Sequence, residues 1–595
     1  MTNETGDQDQ KEHQKMKTRK FFSKVSATIG LAAALAAPMN SASAACTGDP
    51  NGGGISLADV SLMLTCINNP AAPACASACG GQGILDCADV NLDGTLNIND
   101  AVIVLNQTSP GCNRNVVPMC SSPGPVLPCG TTISQDITSN VVLGSCEYFL
   151  DGTVFVQPGS VVTIRPGAVI KGRKVSSDGS PSALVFLQGN CSTGNPFSAR
   201  INAAGTPSSP IVFTSDQPVG SRQAGDWGGV SFQGCSVVNL PGGSGTPEGL
   251  VGVVFGGGAT PILNESSGLA RYVRAEFAGR ELSPDNELNV WTMNALGSCT
   301  QFDWIQAHMG KDDGLEWFGG TVNHKYLVAT ANADDQLDWQ LGTLSKVQFA
   351  LGAQYAGNLD TVGSHGFESD NNENNFSATP ISDPRFCNVT LIGADKQSGH
   401  PAGDFFALFH RRGTGGQLAN VLVTAFQDAA LQLRDAETGA HACGGTCLVA
   451  GNPRTNGVAT CDGSPFSLTG AAAPILRHHK LLLFDNGTGG TELCRNKTGS
   501  GNTGARCNSC EYMSLLQAAG EVSTANPGLI TAGAFPSPAV VDPRPGNPAA
   551  VAGGVDCGAL FSDPFFDSAT YIGAFDPSGT NWLVTPGGWI SLVTQ

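Results

Sequence analysis

Positive charge is scarce in this 595-residue chain: only 31 residues are Lys or Arg, and charged residues of all kinds make up 13%. Exposed helix faces draw on Lys, Glu and Arg, so this shortage beside 77 glycines favours short strands and turns over helices. The formal charge of −18 argues against nucleic acid as a partner, because that needs a basic face. It is compatible with calcium binding, and equally with an acidic surface that keeps an extracellular protein soluble. No segment is apolar for long enough to span a bilayer. His-Glu-x-x-His, Gly-x-Ser-x-Gly, a phosphate loop and a dinucleotide fingerprint are all missing. Their absence removes the common metalloprotease, esterase and nucleotide-dependent classes.

The N-terminus reads as an export signal. Lys17, Arg19, Lys20 and Lys24 precede an apolar run from Ile29 to Pro38, and Ala42-Ser43-Ala44 supplies a small-x-small cleavage site before Ala45. The expected product is extracellular or on the cell surface. All 20 cysteines follow that site, an even number in an exported chain, and are read as largely disulfide-bonded. The close pairs Cys75/Cys79, Cys443/Cys447 and Cys507/Cys510 lack partners at zinc-finger spacing.

After residues 1–44 the composition divides the chain into three. Residues 45–115 are cysteine-rich with two loop-then-helix patterns, 116–130 form a proline-rich linker, and 131–595 switch to strands and turns. Clear rungs are Thr153-Val154-Phe155-Val156, Val161-Val162-Thr163-Ile164 and Ala168-Val169-Ile170-Lys171, punctuated by Pro-Gly. More follow at Ala183–Leu187, Pro210–Thr214, Ala270–Ala278, Phe386–Ile392, Leu418–Ala425 and Leu476–Phe484. Stretches rich in Gly, Asn and Ser at about 236–265, 360–385 and 436–470 read as insertions, where solenoids usually build binding surfaces. Lys311-Asp312-Asp313-Gly314-Leu315-Glu316-Trp317 recurs as Ala333-Asp334-Asp335-Gln336-Leu337-Asp338-Trp339, 22 residues on. Such a period suits one coil of a right-handed parallel β-helix.

Asp89, Asn91, Asp93, Thr95, Asn97 and Asp100 occupy positions 1, 3, 5, 7, 9 and 12 of a twelve-residue calcium loop of EF-hand type, with Gly94 at the sharp turn. Ca²⁺ is the expected cofactor. A worn version of the loop lies at Asp49–Asp59, with Gly53 where an acid belongs, and a helix from Val60 to Ile67 follows it. Two such units in tandem resemble a dockerin. That resemblance implies attachment to a cohesin-like scaffold protein, although the degenerate first loop and the extra cysteines depart from the family. A disulfide-stapled folding module is the alternative.

Coil stacking at about 4.8 Å would set Asp312 near Asp334, Asp313 near Asp335 and Glu316 near Asp338. Like charges at that distance repel by roughly 3 kcal/mol at an effective dielectric of 20. A bound cation, a shared proton, or rotamers splayed into water would each relieve the repulsion. The second would make Asp312, Asp334 and Asp335 candidate catalytic groups, as in glycoside hydrolases. Trp317 and Trp339 stack alongside, as core or as a sugar platform. His365, Glu368 and Asp370 form a second polar cluster. His410-Arg411-Arg412 with Arg434-Asp435 offers guanidinium groups for carboxylated sugars, or ion pairs within the coils.

Asp226-Trp227-Gly228-Gly229, Tyr272–Gly279, Phe318–Asn323, Tyr571–Phe575, Asn581-Trp582 and Gly588-Trp589 resemble secreted bacterial β-helix proteins of the pectate-lyase-like superfamily. The polygalacturonase group of that superfamily carries Asn-Thr-Asp and Arg-x-Lys, and neither has a counterpart here. The resemblance implies fold and export, and brings no reaction. The expected architecture is mainly β: a right-handed parallel β-helix behind a small α-helical dockerin-like domain. The expected function is binding of extracellular polymer or cell-surface glycan, the alternative a polysaccharide hydrolase or lyase. For the calcium loop, EGTA or Asp93→Ala is expected to lower the melting temperature of an isolated 45–115 fragment, followed by circular dichroism.

Overall fold

A short β-branched run cannot bury its own apolar side chains, but identical runs stacked in register cover one another. A computed structural model describes residues 57–68, 74, 124–193, 197–283, 286–443, 474–487, 489–496, 508–529, 542–584 and 587–595. The expected signal segment and the calcium-loop residues Asp89, Asn91, Asp93, Thr95, Asn97 and Asp100 lie outside the described residues. From the N-terminal region an α-helix at Leu57–Asn68 is described, over the stretch expected to be helical after the worn loop.

Beyond residue 124 the strands fall into a sixteen-stranded sheet and a nine-stranded sheet, apart from a small antiparallel pair, Glu281–Ser283 with Asn286–Glu287. The chain visits them alternately: Gln301–His308 in the first, Leu315–Phe318 in the second, Asn323–Thr330 in the first, Leu337–Gln340 in the second. Neighbouring strands are parallel. Alternation with parallel neighbours is the path of a coiling β-helix, as the 22-residue repeat predicts. Coil pairing begins at Val126–Leu127, inside the stretch read as linker, where it meets Val142–Leu143 and is stapled by Cys129–Cys146.

Four strands of the nine-stranded sheet carry the candidate site: β1 (Trp291–Asn294), β2 (Leu315–Phe318), β3 (Leu337–Gln340) and β4 (Phe367–Ser369). Side chains alternate across a strand, so Leu315 and Trp317 face the interior while Glu316 faces out. Trp291, Trp317 and Trp339 are fully buried, as cores and not as platforms. Each indole N–H finds an acceptor: the Gln306 carbonyl, His324 Nε2 and Thr414 Oγ1 respectively. Because His324 Nε2 accepts, its Nδ1 carries the proton and donates to the Phe302 carbonyl at 2.7 Å. Burial pushes that imidazole down to about 4, so it stays neutral.

Register continues around the bends. Tyr272, Trp304, Tyr326 and Phe349 stack coil upon coil with φ of 49°, 51°, 62° and 64°, a left-handed conformation costly for side chains of this size. Their ring centroids lie 5.4, 4.0 and 5.0 Å apart. The C-terminal segment closes over this column. Trp589 meets Tyr272 edge-on, Trp582 does the same to Tyr326, and Asp567 and Asp563 pair with Lys325 and Lys346 at 2.7 and 2.5 Å. Cys387–Cys557, 170 residues apart in sequence, fixes the segment covalently. Cys191–Cys235 and Cys494–Cys510 are further disulfides, and Cys66, Cys299 and Cys443 are disulfide-bonded too. Among the described residues no cysteine is free, and no helix is long and apolar enough to cross a membrane. Removing the long crosslink with Cys387→Ser and Cys557→Ser is expected to cost roughly 2–5 kcal/mol. It should also open the 542–595 segment to limited proteolysis, read by mass spectrometry.

Candidate functional site

The outward column of the nine-stranded sheet runs Thr292, Glu316, Asp338, Glu368 across β1 to β4, each the register partner of the next. At the strand entrances Asp312 and Asp313 stand under Asp334 and Asp335. Asp313 accepts the backbone N–H of Asp335 at 2.9 Å, and Asp335 in turn accepts the N–H of His365. The second aspartate of each Asp-Asp pair thus ties its coil to the next. Asp313 and Asp335 are buried, while Asp312, Asp334 and Glu368 are half-buried. Of the three candidate catalytic aspartates, only Asp312 and Asp334 keep partial exposure to solvent.

The insertion at 236–265 walls the far end of these strands. Its Val238 and Phe255 pack on Phe318 and Leu341, and its Asn239 donates to Asn371 Oδ1 at 2.7 Å. Glu248, exposed on the same insertion, is pushed up to about 7 by the protein around it, then by Asp338, Glu287 and Glu373.

The acids raise one another. Burial first, then Asp360 and Asp338, pushes Asp334 up to about 7. Burial pushes Asp338 up to about 6, against the pull of Arg411 and Arg412. Burial, and after it Asp334 for Asp312, Asp312 for Asp313, Asp338 for Glu316 and Asp334 for Asp335, holds these four well above the carboxylate range. Glu316 is oriented by the Asn289 amide and by Gln340 Nε2 at 2.8 Å. A carboxyl of Asp338 shares a hydrogen bond with Glu316, yet its Oδ1 is buried without any partner.

Basic groups border one end and are already engaged. Arg411 joins Glu368 to Asp370 (2.9 Å), Arg412 reaches Asp370 at 2.7 Å, and Arg434 pairs with Asp404 at 2.8 Å. Of the two readings of these arginines, ion pairs within the coils is the one seen. His365 accepts the Phe406 N–H through Nδ1 at 3.2 Å, so in its neutral form Nε2 bears the proton. Burial, with Arg411 and Arg434 nearby, keeps it neutral.

Three groups bring ligand atoms within 4.8 Å of one another: Asp312/Asp313/Asp334, Asp313/Glu316/Asp338 and Asp335/His365/Glu368. With Nδ1 engaged and Nε2 protonated, the third lacks a free nitrogen lone pair. The first two are all oxygen and fit a hard cation.

This walled acidic face lies on a parallel β-helix, and a family model described as a pectate-lyase like beta helix domain matches residues 135–464. The chain belongs to that family. Searches of curated proteins and of solved structures found no significant match. The pectate-lyase-like domain thus covers β1 to β4 and the insertion over them. Glu248, Glu287, Asn289, Thr292, Asp360 and Gln340 were not anticipated as members of the site. Thr292 alone had a signal, since Trp291-Thr292-Met293 repeats the pattern of Leu315-Glu316-Trp317 one coil earlier.

A carboxyl whose folded pKa is raised stabilises fully below its ordinary value and loses that contribution as pH rises through the folded one. In EDTA the melting temperature should therefore fall between about pH 4 and pH 7, the range set by Asp338 and Asp334. Asp338→Asn should flatten that fall and melt higher than wild type at pH 8, a gain on the order of 2 kcal/mol.

Proposed function

We propose that this pectate-lyase-like β-helix binds an uncharged extracellular polysaccharide along the outward face of β1 to β4. The observation that carries the reading is the pairing of the bordering arginines Arg411, Arg412 and Arg434: among the described residues the face offers half-buried acceptors Asp312, Asp334 and Glu368 and no uncommitted guanidinium. Sugar hydroxyls donate to such acceptors, whereas uronate carboxylates are repelled. A polymer lying along the stack meets one such acceptor on each of three successive coils, which stack about 4.8 Å apart. In this proposal the protein is exported, and the dockerin-like module, loaded with Ca²⁺, attaches it to a cohesin-like scaffold.

A second reading, hydrolysis, is favoured by Asp334. A half-buried carboxyl pushed up to about 7 holds a proton near neutral pH, as a general acid must. Affinity electrophoresis and reducing-end assays on a polysaccharide panel separate the two. Binding predicts retention by a neutral glycan, no product, and at least tenfold weaker retention for Asp334→Asn. Reducing ends released by wild type and lost in the variant would establish hydrolysis. Retention by polyuronates alone would refute the neutral-glycan reading.

A further inference from the structure

Beneath the open face lies a group that glycan binding does not use. Asp313, Glu316 and Asp338 are 6%, 4% and 6% exposed, so no polymer reaches them. Their oxygens lie within 4.8 Å of one another, close enough to share one central ion. Asp313 keeps one oxygen on the Asp335 N–H, and Glu316 is held by Asn289 and Gln340, so the set is already oriented. Among the described residues no basic side chain bonds to any of the three. Arg411 and Arg412 are spent on Glu368 and Asp370.

A second observation points to a missing ligand. Asp338 Oδ1 is buried with no hydrogen-bond partner, and beside Glu316 the same is true of Thr292 Oγ1 and Asn289 Oδ1. A buried carboxylate oxygen without donor or cation costs several kcal/mol in general. Three oxygen-only carboxylates with neutral oxygens nearby match a hard divalent ion of calcium size, and they offer no nitrogen or sulfur to a softer metal.

We propose that Asp313, Glu316 and Asp338 hold a structural calcium ion between successive coils, under the glycan-binding face. The ion joins β2 to β3 and is walled off from solvent by the carboxyls that bind it. This site is separate from the loop at Asp89–Asp100, and it stands whether or not the face above binds sugar.

The test uses the full chain in an Asp93→Ala background, which silences the N-terminal loop. After dialysis against EDTA, bound calcium is counted by equilibrium dialysis and melting is followed with and without the metal. The parent is expected to melt several degrees higher in calcium. Asp338→Asn and Glu316→Gln should each bind one equivalent fewer, lose that rise, and melt in EDTA no lower than the parent. Two substitutions on different strands guard against a folding defect in either. Equal calcium content in parent and variants, or a parent melt indifferent to calcium, overturns the proposal.

Discussion

Every special feature of this protein follows from parallel coils stacking in register. Once Leu315 pairs with Leu337 and Trp317 with Trp339, the residue between them has no choice: Glu316 must lie against Asp338. A parallel stack repeats chemistry vertically, and what is favourable for Trp is unfavourable for carboxylates. The apolar positions gain from repetition, because each buried ring covers the next. The acidic positions are under strain from the same geometry, and burial magnifies it.

The protein meets that strain in several ways. Asp313 and Asp335 convert one oxygen into a tie to the next coil's backbone. Glu368 and Asp370, at the other end of the column, are answered by Arg411 and Arg412. Asp312 and Asp334 stay half-exposed and share what water reaches them. Glu316 is answered only by the neutral amides of Asn289 and Gln340, and the Oδ1 of Asp338 is left deep with no hydrogen-bond partner. The gradient from neutralised to solvated to unanswered carboxyls gives one sheet face regions suited to different tasks.

Much of this was legible in the residues, because short-period regularity survives translation into structure. The rungs at 153–156 and 161–164 match strands, and the 22-residue repeat correctly stacked Asp312 near Asp334. Legibility failed where the period changes. From β3 to β4 the register partners Leu337 and Phe367 are 30 residues apart, so the rung Phe367–Ser369 vanished into a stretch read as insertion. The strand Phe406–His410 was missed for the same reason, since its Leu408 pairs with Phe367, while Lys346–Ala353 was missed although it follows Asn323–Thr330 at close to the repeat. Glu248 reaches the acidic face from an insertion whose path depends on Phe255 and Asn239 finding distant partners, a tertiary fact without local signature. The C-terminal cover over Tyr272 and Tyr326 is likewise a long-range contact.

The central claim is that Glu316 and Asp338 repel across adjoining coils, and a double-mutant cycle measures that directly. Unfolding free energies of wild type, Glu316→Gln, Asp338→Asn and the double variant would be compared at pH 8 in EDTA. Stacking in register predicts a coupling of about 1 kcal/mol or more, with the second neutralisation adding little once the first is made. Strictly additive effects would mean that the two carboxylates are not neighbours, and would contradict the account.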